Sequence, residues 1–261
     1  MRYCRRVIRN VRMVAIVLLA STSCSKQKEP PVRATPKPLE ALPRALNADG
    51  GETALGDDVF RVTPLEPRGP PIPTDAIALT LNESMVTLDN APVDWSKVKG
   101  RVMLVAYADT YLAQVAPTLA RLDDAGAVIL IRHPDAEIAF PIRLRDEPAF
   151  QKWLDEPEPG KFRVIYRADG FELQTNMGHV PGQDPSGPTV PLRGGQLDLL
   201  TLQKGIEKVQ ARFKSAPDYC VVASFGSELS SIARILAANY VSAEVSYFKE
   251  TCLVYPRPSS H

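Results

Sequence analysis

From Ile77 onward, apolar and polar positions follow two clear periods. Ile77, Leu79 and Leu81 alternate with Ala78 and Thr80, the period of a half-buried strand. Asn82, Glu83 and Ser84 supply turn chemistry, and Met85-Val86-Thr87-Leu88 returns as a second strand. Residues 101–107 (RVMLVAY) form the near-continuous apolar run of a buried strand. Leu112, Val115, Leu119 and Leu122 then recur at helical spacing, with Asp109 or Thr110 placed to cap that helix and Gly126 to end it. Residues 127–131 (AVILI) are another buried strand.

The same order returns further along. Residues 162–166 (FRVIY) read as a strand, Asp169-Gly170 as a hairpin turn, and 171–174 as its return. After a Gly/Pro-rich loop at 177–195, Leu199, Leu202, Ile206, Val209 and Phe213 mark a helix. YCVVA at 219–223 is a buried strand. Ser227 is placed to cap a helix carrying Leu229, Ile232, Leu236 and Tyr240, and 251–255 is a last strand before Pro256 and Pro258. Between the repeats, Asp146 before Pro148, with Phe150, Trp153 and Leu154 on one face, predicts a short capped helix within a connector at 144–159. The fold class is therefore α/β. Two small units, 73–143 and 160–258, each carry a β-hairpin plus β-α-β layered against helices. The first has only a short segment, 92–99, where the second has the helix at 199–213. The pattern is that of a degraded internal duplication.

The first 72 residues lack both periods. Arg2, Arg5, Arg6, Arg9 and Arg12 precede a short uncharged run at 13–20, then Ser21, Thr22, Ser23 and Cys24. A basic start, a short apolar run and small residues at its exit predict a secretory signal over 1–24. The run is far below the roughly 20 residues that cross a bilayer. Residues 25–72 are rich in Pro and charge, the composition of a semi-rigid tether.

The Thr22-Ser23-Cys24 context resembles the lipobox of bacterial lipoproteins, with Ser21 where an apolar residue is usual. That resemblance implies acylation of Cys24 and a lipid anchor on the periplasmic side of the envelope. Ser25 implies the outer membrane rather than the inner. The first unit resembles the periplasmic domain of the ExbD/TolR family of biopolymer-transport proteins. The likeness lies in the hairpin at 77–88, Asp89-Asn90-Ala91-Pro92-Val93, VMLVAYAD at 102–109, the helix over 115–122, Ala125-Gly126 and AVILI. Arg167-Ala168-Asp169-Gly170 and the order of elements extend it to the second unit. The family's membrane helix carries an aspartate used in proton-driven motors. The apolar run here has none, so the resemblance implies the binding surface and not proton coupling. The partners it implies are peptidoglycan or an envelope protein.

Charge and chemistry narrow this further. Five of the 31 basic residues lie before Cys24, leaving 26 against 30 acidic ones, a net of −4 that argues against nucleic-acid binding. Cys220 and Cys252 sit in apolar runs. In an oxidising compartment they can pair as a disulfide if those runs are neighbouring strands; two buried thiols are the other reading. No metal-ligand spacing appears, and Gly178, Gly182, Gly187 and Gly195 show no cofactor-binding pattern. Of the three histidines, His133 reads as a turn residue, His179 lies in the Gly/Pro loop and His261 is terminal. Asp123-Asp124 read as an exposed face. The loop at 177–195 is the candidate ligand site, with Asn176, His179, Asp184 and Arg193 as polar contacts. A non-enzymatic envelope binding or coupling module, with no catalytic residues, is the leading expectation. The alternatives are an envelope hydrolase using the 224–228 junction and a histidine, or a structural scaffold that forms a homodimer.

Overall fold

The computed structural model describes residues 62–82, 85–157, 160–182 and 184–258. Strands β1 (Ile77–Asn82) and β2 (Met85–Leu88) form an antiparallel hairpin. β3 (Ala91–Pro92) joins β2 through Asp89 and Asn90, whose φ angles of 51° and 62° suit a type I′ turn that Asp and Asn tolerate. A 3-10 turn, Trp95–Lys97, leads to β4 (Arg101–Ala106), parallel to β1. Helix α1 (Leu112–Asp124) returns to β5 (Val128–Arg132), parallel to β4. Its N-cap is Tyr111, whose N–H donates to Gln114 Oε1 at 2.8 Å. Its end follows the expected pattern, with Gly126 at φ 64°.

Residues 139–145, expected to belong partly to the first unit and partly to the connector, form one strand, β6 (Ala139–Arg145). Phe140, Ile142 and Leu144 supply its buried face, alternating with Pro141, Arg143 and Arg145. Helix α2 (Glu147–Asp155) follows, capped by Asp146, which accepts from Ala149 N at 3.0 Å.

The second half then runs through β7 (Phe162–Arg167), β8 (Gly170–Thr175), β9 (Gly178–His179), β10 (Val190–Pro191), α3 (Leu199–Arg212), β11 (Asp218–Ala223), α4 (Leu229–Ala237) and β12 (Glu250–Val254). Its pairings repeat those of the first. Leu79 faces Leu88 as Val164 faces Leu173, Ile77 faces Val102 as Phe162 faces Tyr219, and Arg101 faces Val128 as Asp218 faces Glu250. Both halves thus carry one hairpin and three parallel strands in one register.

β6 fuses them, antiparallel to β5 and parallel to β12, into a single 12-stranded mixed sheet. The two loops entering α1 and α4 also pair with each other. Leu112 N–H donates to Ser227 O and Leu229 N–H to Thr110 O, both at 2.8 Å. These are matching positions of the repeat, so each half closes the other's helix start.

One face of the sheet carries the main core, shared by α1, α3 and α4. On the other face Ile72 and Ala76 cover Met103, Leu130 and Ala139. Phe150 and Trp153 of α2 cover Cys220, Cys252 and Val254. Cys220 and Cys252 are register partners, with Cα atoms 4.4 Å apart, and form a disulfide. Beside it Arg145 bonds Asp218 at 2.9 Å, with side chains only 12% and 11% exposed, and its guanidinium lies 5.3 Å from the Trp153 ring. Lys161 approaches the same ring at 5.0 Å and pairs with Glu156.

At the rim, Arg257 bridges Asp123, Asp124 and Asp146, and the Tyr255 hydroxyl donates to Asp123 at 3.2 Å. The Asp123-Asp124 pair is thereby tied to the chain end. Burial raises the Asp123 pKa, against the Tyr255 hydrogen bond and the Arg257 charge.

Candidate functional site

A broad concavity lies where β7 and β11 end and α4 begins. It comprises a cleft of about 690 Å³ and an adjoining recess of about 260 Å³, which share Tyr166, Arg167, Ala168 and Ser231. The carboxyl ends of parallel strands are where such sheets place ligands, because loops and helix starts converge there. Three further elements wall the cleft: the turn between β5 and β6, the end of the 177–195 loop at Leu192, and the proline-rich segment 62–67.

His133 sits at that turn, only 4% exposed. Its Nδ1 accepts from Asp135 N at 3.1 Å. In the neutral ring the proton is therefore on Nε2. Among the described residues Nε2 has no hydrogen-bond partner, although the ring lines the cleft. Burial pushes the His133 pKa below its ordinary value, with Asp135 opposing and Arg234 adding to the shift. The ring is thus held as a neutral donor.

Arg234, on α4, donates Nε and Nη2 to Asp135 Oδ2 at 3.1 and 3.0 Å, and among the described residues Nη1 has no partner. Arg167, at the end of β7, is held by Asp169 and Glu172, both at 3.0 Å. Ser231, one turn into α4, adds a hydroxyl. The opposite wall is apolar: Val62, Pro64, Leu65 and Pro67, with Leu197 and Leu199. One side offers hydrogen-bond donors and the other contact surface, which suits an acceptor-rich, partly apolar ligand.

In the recess, the Ser224 and Ser227 hydroxyls bond each other at 3.0 Å. Among the described residues neither is bonded to a histidine. Ser227 precedes the N-cap of α4, which is Glu228. Its carbonyl serves the α1 start instead of a side-chain cap.

The four residues singled out in the 177–195 loop region do not converge. Asn176 accepts from Gly160 N at 3.3 Å. His179, in β9, lies 3.4 Å from Glu172. Asp184 closes a local turn with Ser186, whose hydroxyl and amide hold its carboxyl below the usual range. Arg193 pairs at 2.8 Å with Asp198, the N-cap of α3. His179 lines a separate groove of about 600 Å³ between the loop and α3, where Lys204, Lys208 and Arg212 stand. Cys24 and His261 lie outside the described residues.

Sequence reasoning missed Arg234, Arg167 and Ser231, and read His133 as a turn residue. One signal was available: Arg234 is the single charge on α4, LSSIARILA, all of whose other residues are buried. Among the described residues no helix is long and apolar enough to cross a membrane, and no cluster of three or more His, Cys, Asp or Glu is placed to hold a metal. No protein-family model, curated protein or solved structure matches the chain.

Proposed function

We propose that the chain is a non-enzymatic binding or coupling module of a cell envelope, carried on lipid at Cys24. Its two hairpin-and-βαβ units would relate it to the periplasmic domains of ExbD/TolR transport proteins. The repeated register supports that reading of the fold. The observation that carries the binding role is His133, a largely buried ring fixed through Nδ1 by Asp135 N, whose Nε2–H opens onto a large cleft. The Nε2 atom is open to the cleft rather than sealed in the core, so its N–H is available to donate to a ligand acceptor. With Arg234 beside it and an apolar wall opposite, the cleft suits an extended peptide or glycopeptide segment bearing carboxylates and carbonyls. Peptidoglycan stems and acidic segments of envelope proteins both have that chemistry.

The test is retention of the mature protein on purified peptidoglycan, in parallel with crosslinking in envelope extracts. Wild type is retained or crosslinked, and Arg234→Glu loses the signal while unfolding at the same urea concentration. Absence of both signals for wild type sinks the proposal. A dimerising scaffold is favoured by a different feature, the exposed Tyr107, Tyr111 and Phe225 near the crossing loops, at 59%, 37% and 62% exposure. It predicts a concentration-dependent dimer in sedimentation, and a monomer at high concentration refutes it.

A further inference from the structure

The two halves share a register but not a cover. In the second half α3 lies over the hairpin. Leu202 and Ile206 are fully buried and Val209 is 6% exposed. Gly205 rides directly on the sheet, where a Cβ would come within 2.6 Å of Leu173 Cδ1. Beneath this helix Phe171 and Leu173 are 0% and 1% exposed. Gln203 of α3 also closes the region after α4, donating to Tyr240 O at 3.0 Å.

In the first half the matching crossover is only the 3-10 turn Trp95–Lys97. By register Val86 and Leu88 occupy the positions of Phe171 and Leu173. Both are only half-buried, and Met85 at the strand start is 60% exposed. The end of α1, which matches the end of α4, flanks a groove of about 410 Å³ lined by Trp95, Val98, Arg121, Leu122, Asp124 and Ala125. Trp95 forms one wall, with the Arg121 guanidinium 5.1 Å from its ring.

We propose that this flank of the first half docks an amphipathic helix from a partner protein, in the position α3 holds in the second. The repeat states what the occupant must be. It carries a small residue against Leu88, and apolar side chains three before, one after and four after it, as Leu202, Ile206 and Val209 stand about Gly205. Such stripes are how helices are read by apolar grooves. The proposal does not depend on the cleft, and neither substitution below touches it.

The probe is a synthetic peptide of residues 197–214, LDLLTLQKGIEKVQARFK, labelled with a fluorophore and titrated into the mature protein. Saturable anisotropy is expected. It is weakened at least about tenfold by Leu88→Glu, by the exposed groove-filling Ala125→Trp, and by a Gly205→Leu change in the peptide, where about 1.4 kcal/mol corresponds to tenfold. Ala125→Trp should leave thermal unfolding unchanged, which separates lost docking from lost folding. A photo-crosslinker in the peptide is expected to label residues 86–98 and 121–125. The inference is overturned by absence of saturable binding, by affinity indifferent to all three changes, or by crosslinks confined to the second half, which would mean exchange with α3 itself.

Discussion

Replacing Cys220 and Cys252 together by Ala tests the join between β11 and β12. The two cysteines are 32 residues apart in sequence, so the bond closes a loop that contains all of α4. Restricting such a loop in the unfolded chain is worth about 3.5 to 4 kcal/mol at 25 °C in the chain-entropy picture. Losing two buried sulfurs adds about 1 kcal/mol of packing, since each site lies under Phe150 and Trp153. The expected loss is therefore about 4.5 to 5 kcal/mol, a large share of the roughly 5 to 15 kcal/mol by which domains are stable. Urea unfolding followed by circular dichroism reads it as a lower midpoint. The slope should rise, because an uncrosslinked unfolded chain exposes more surface. A loss below about 2 kcal/mol with an unchanged slope would refute the reasoning and mean two buried thiols.

Three other outcomes follow from single residues. Asp218→Ala leaves Arg145 buried without its carboxylate and should cost about 3 to 5 kcal/mol in the same urea assay; a loss under 1 kcal/mol would mean the guanidinium finds water. Because burial depresses the His133 pKa below its ordinary 6.5, the unfolded chain takes up that proton at higher pH than the folded one. Stability is then full above 6.5 and falls as pH drops through it, and His133→Gln should flatten this part of the profile; an unchanged slope contradicts it. Gly170→Ala, at φ 141° with a Cβ directed to within 2.2 Å of Val190 O, should lower stability by about 2 kcal/mol or more and release β10 to hydrogen exchange. Native protection at β10 in that variant would show that the strand can shift.

Much of the architecture was legible because alternation and helical spacing report burial directly. The hairpin at 77–88, the runs at 101–107 and 219–223 and the helix about Leu112–Leu122 all depend on local pattern. β6 was not legible in the same way. Its alternation runs through Pro141, a residue that by itself argues against a strand interior, and the strand is fixed by neighbours from both halves, Ile129 to Arg132 on one side and Cys252 to Val254 on the other. Asp169-Gly170 located the hairpin but set its turn one residue late. The two-residue turn is Ala168-Asp169, and Gly170 is needed where β10 crosses close to it.

The candidate site was largely hidden. His133, Arg234 and Arg167 are 34 or more residues apart and meet only because the β5–β6 turn, the end of β7 and α4 come together at one place. The loop proposed from composition contributes Leu192 and Gly195 to that cleft, while its polar residues are spent on local turns and on the α3 cap. Helix caps shifted by one residue for a related reason: Thr110 and Ser227 lend their carbonyls to the opposite half.

The most direct test of the account is a ligand titration of the His133 ring. Nitrogen-15 spectra of the mature protein, with and without soluble peptidoglycan fragments or a crosslinked envelope partner's acidic peptide, report the proton on Nε2. The free protein should show a neutral ring with Nδ1 unprotonated, and adding one ligand should move the Nε2–H downfield, a change absent in Arg234→Glu. A His133 signal unmoved by either ligand, while the ligand is bound elsewhere on the chain, would contradict the assignment of this cleft.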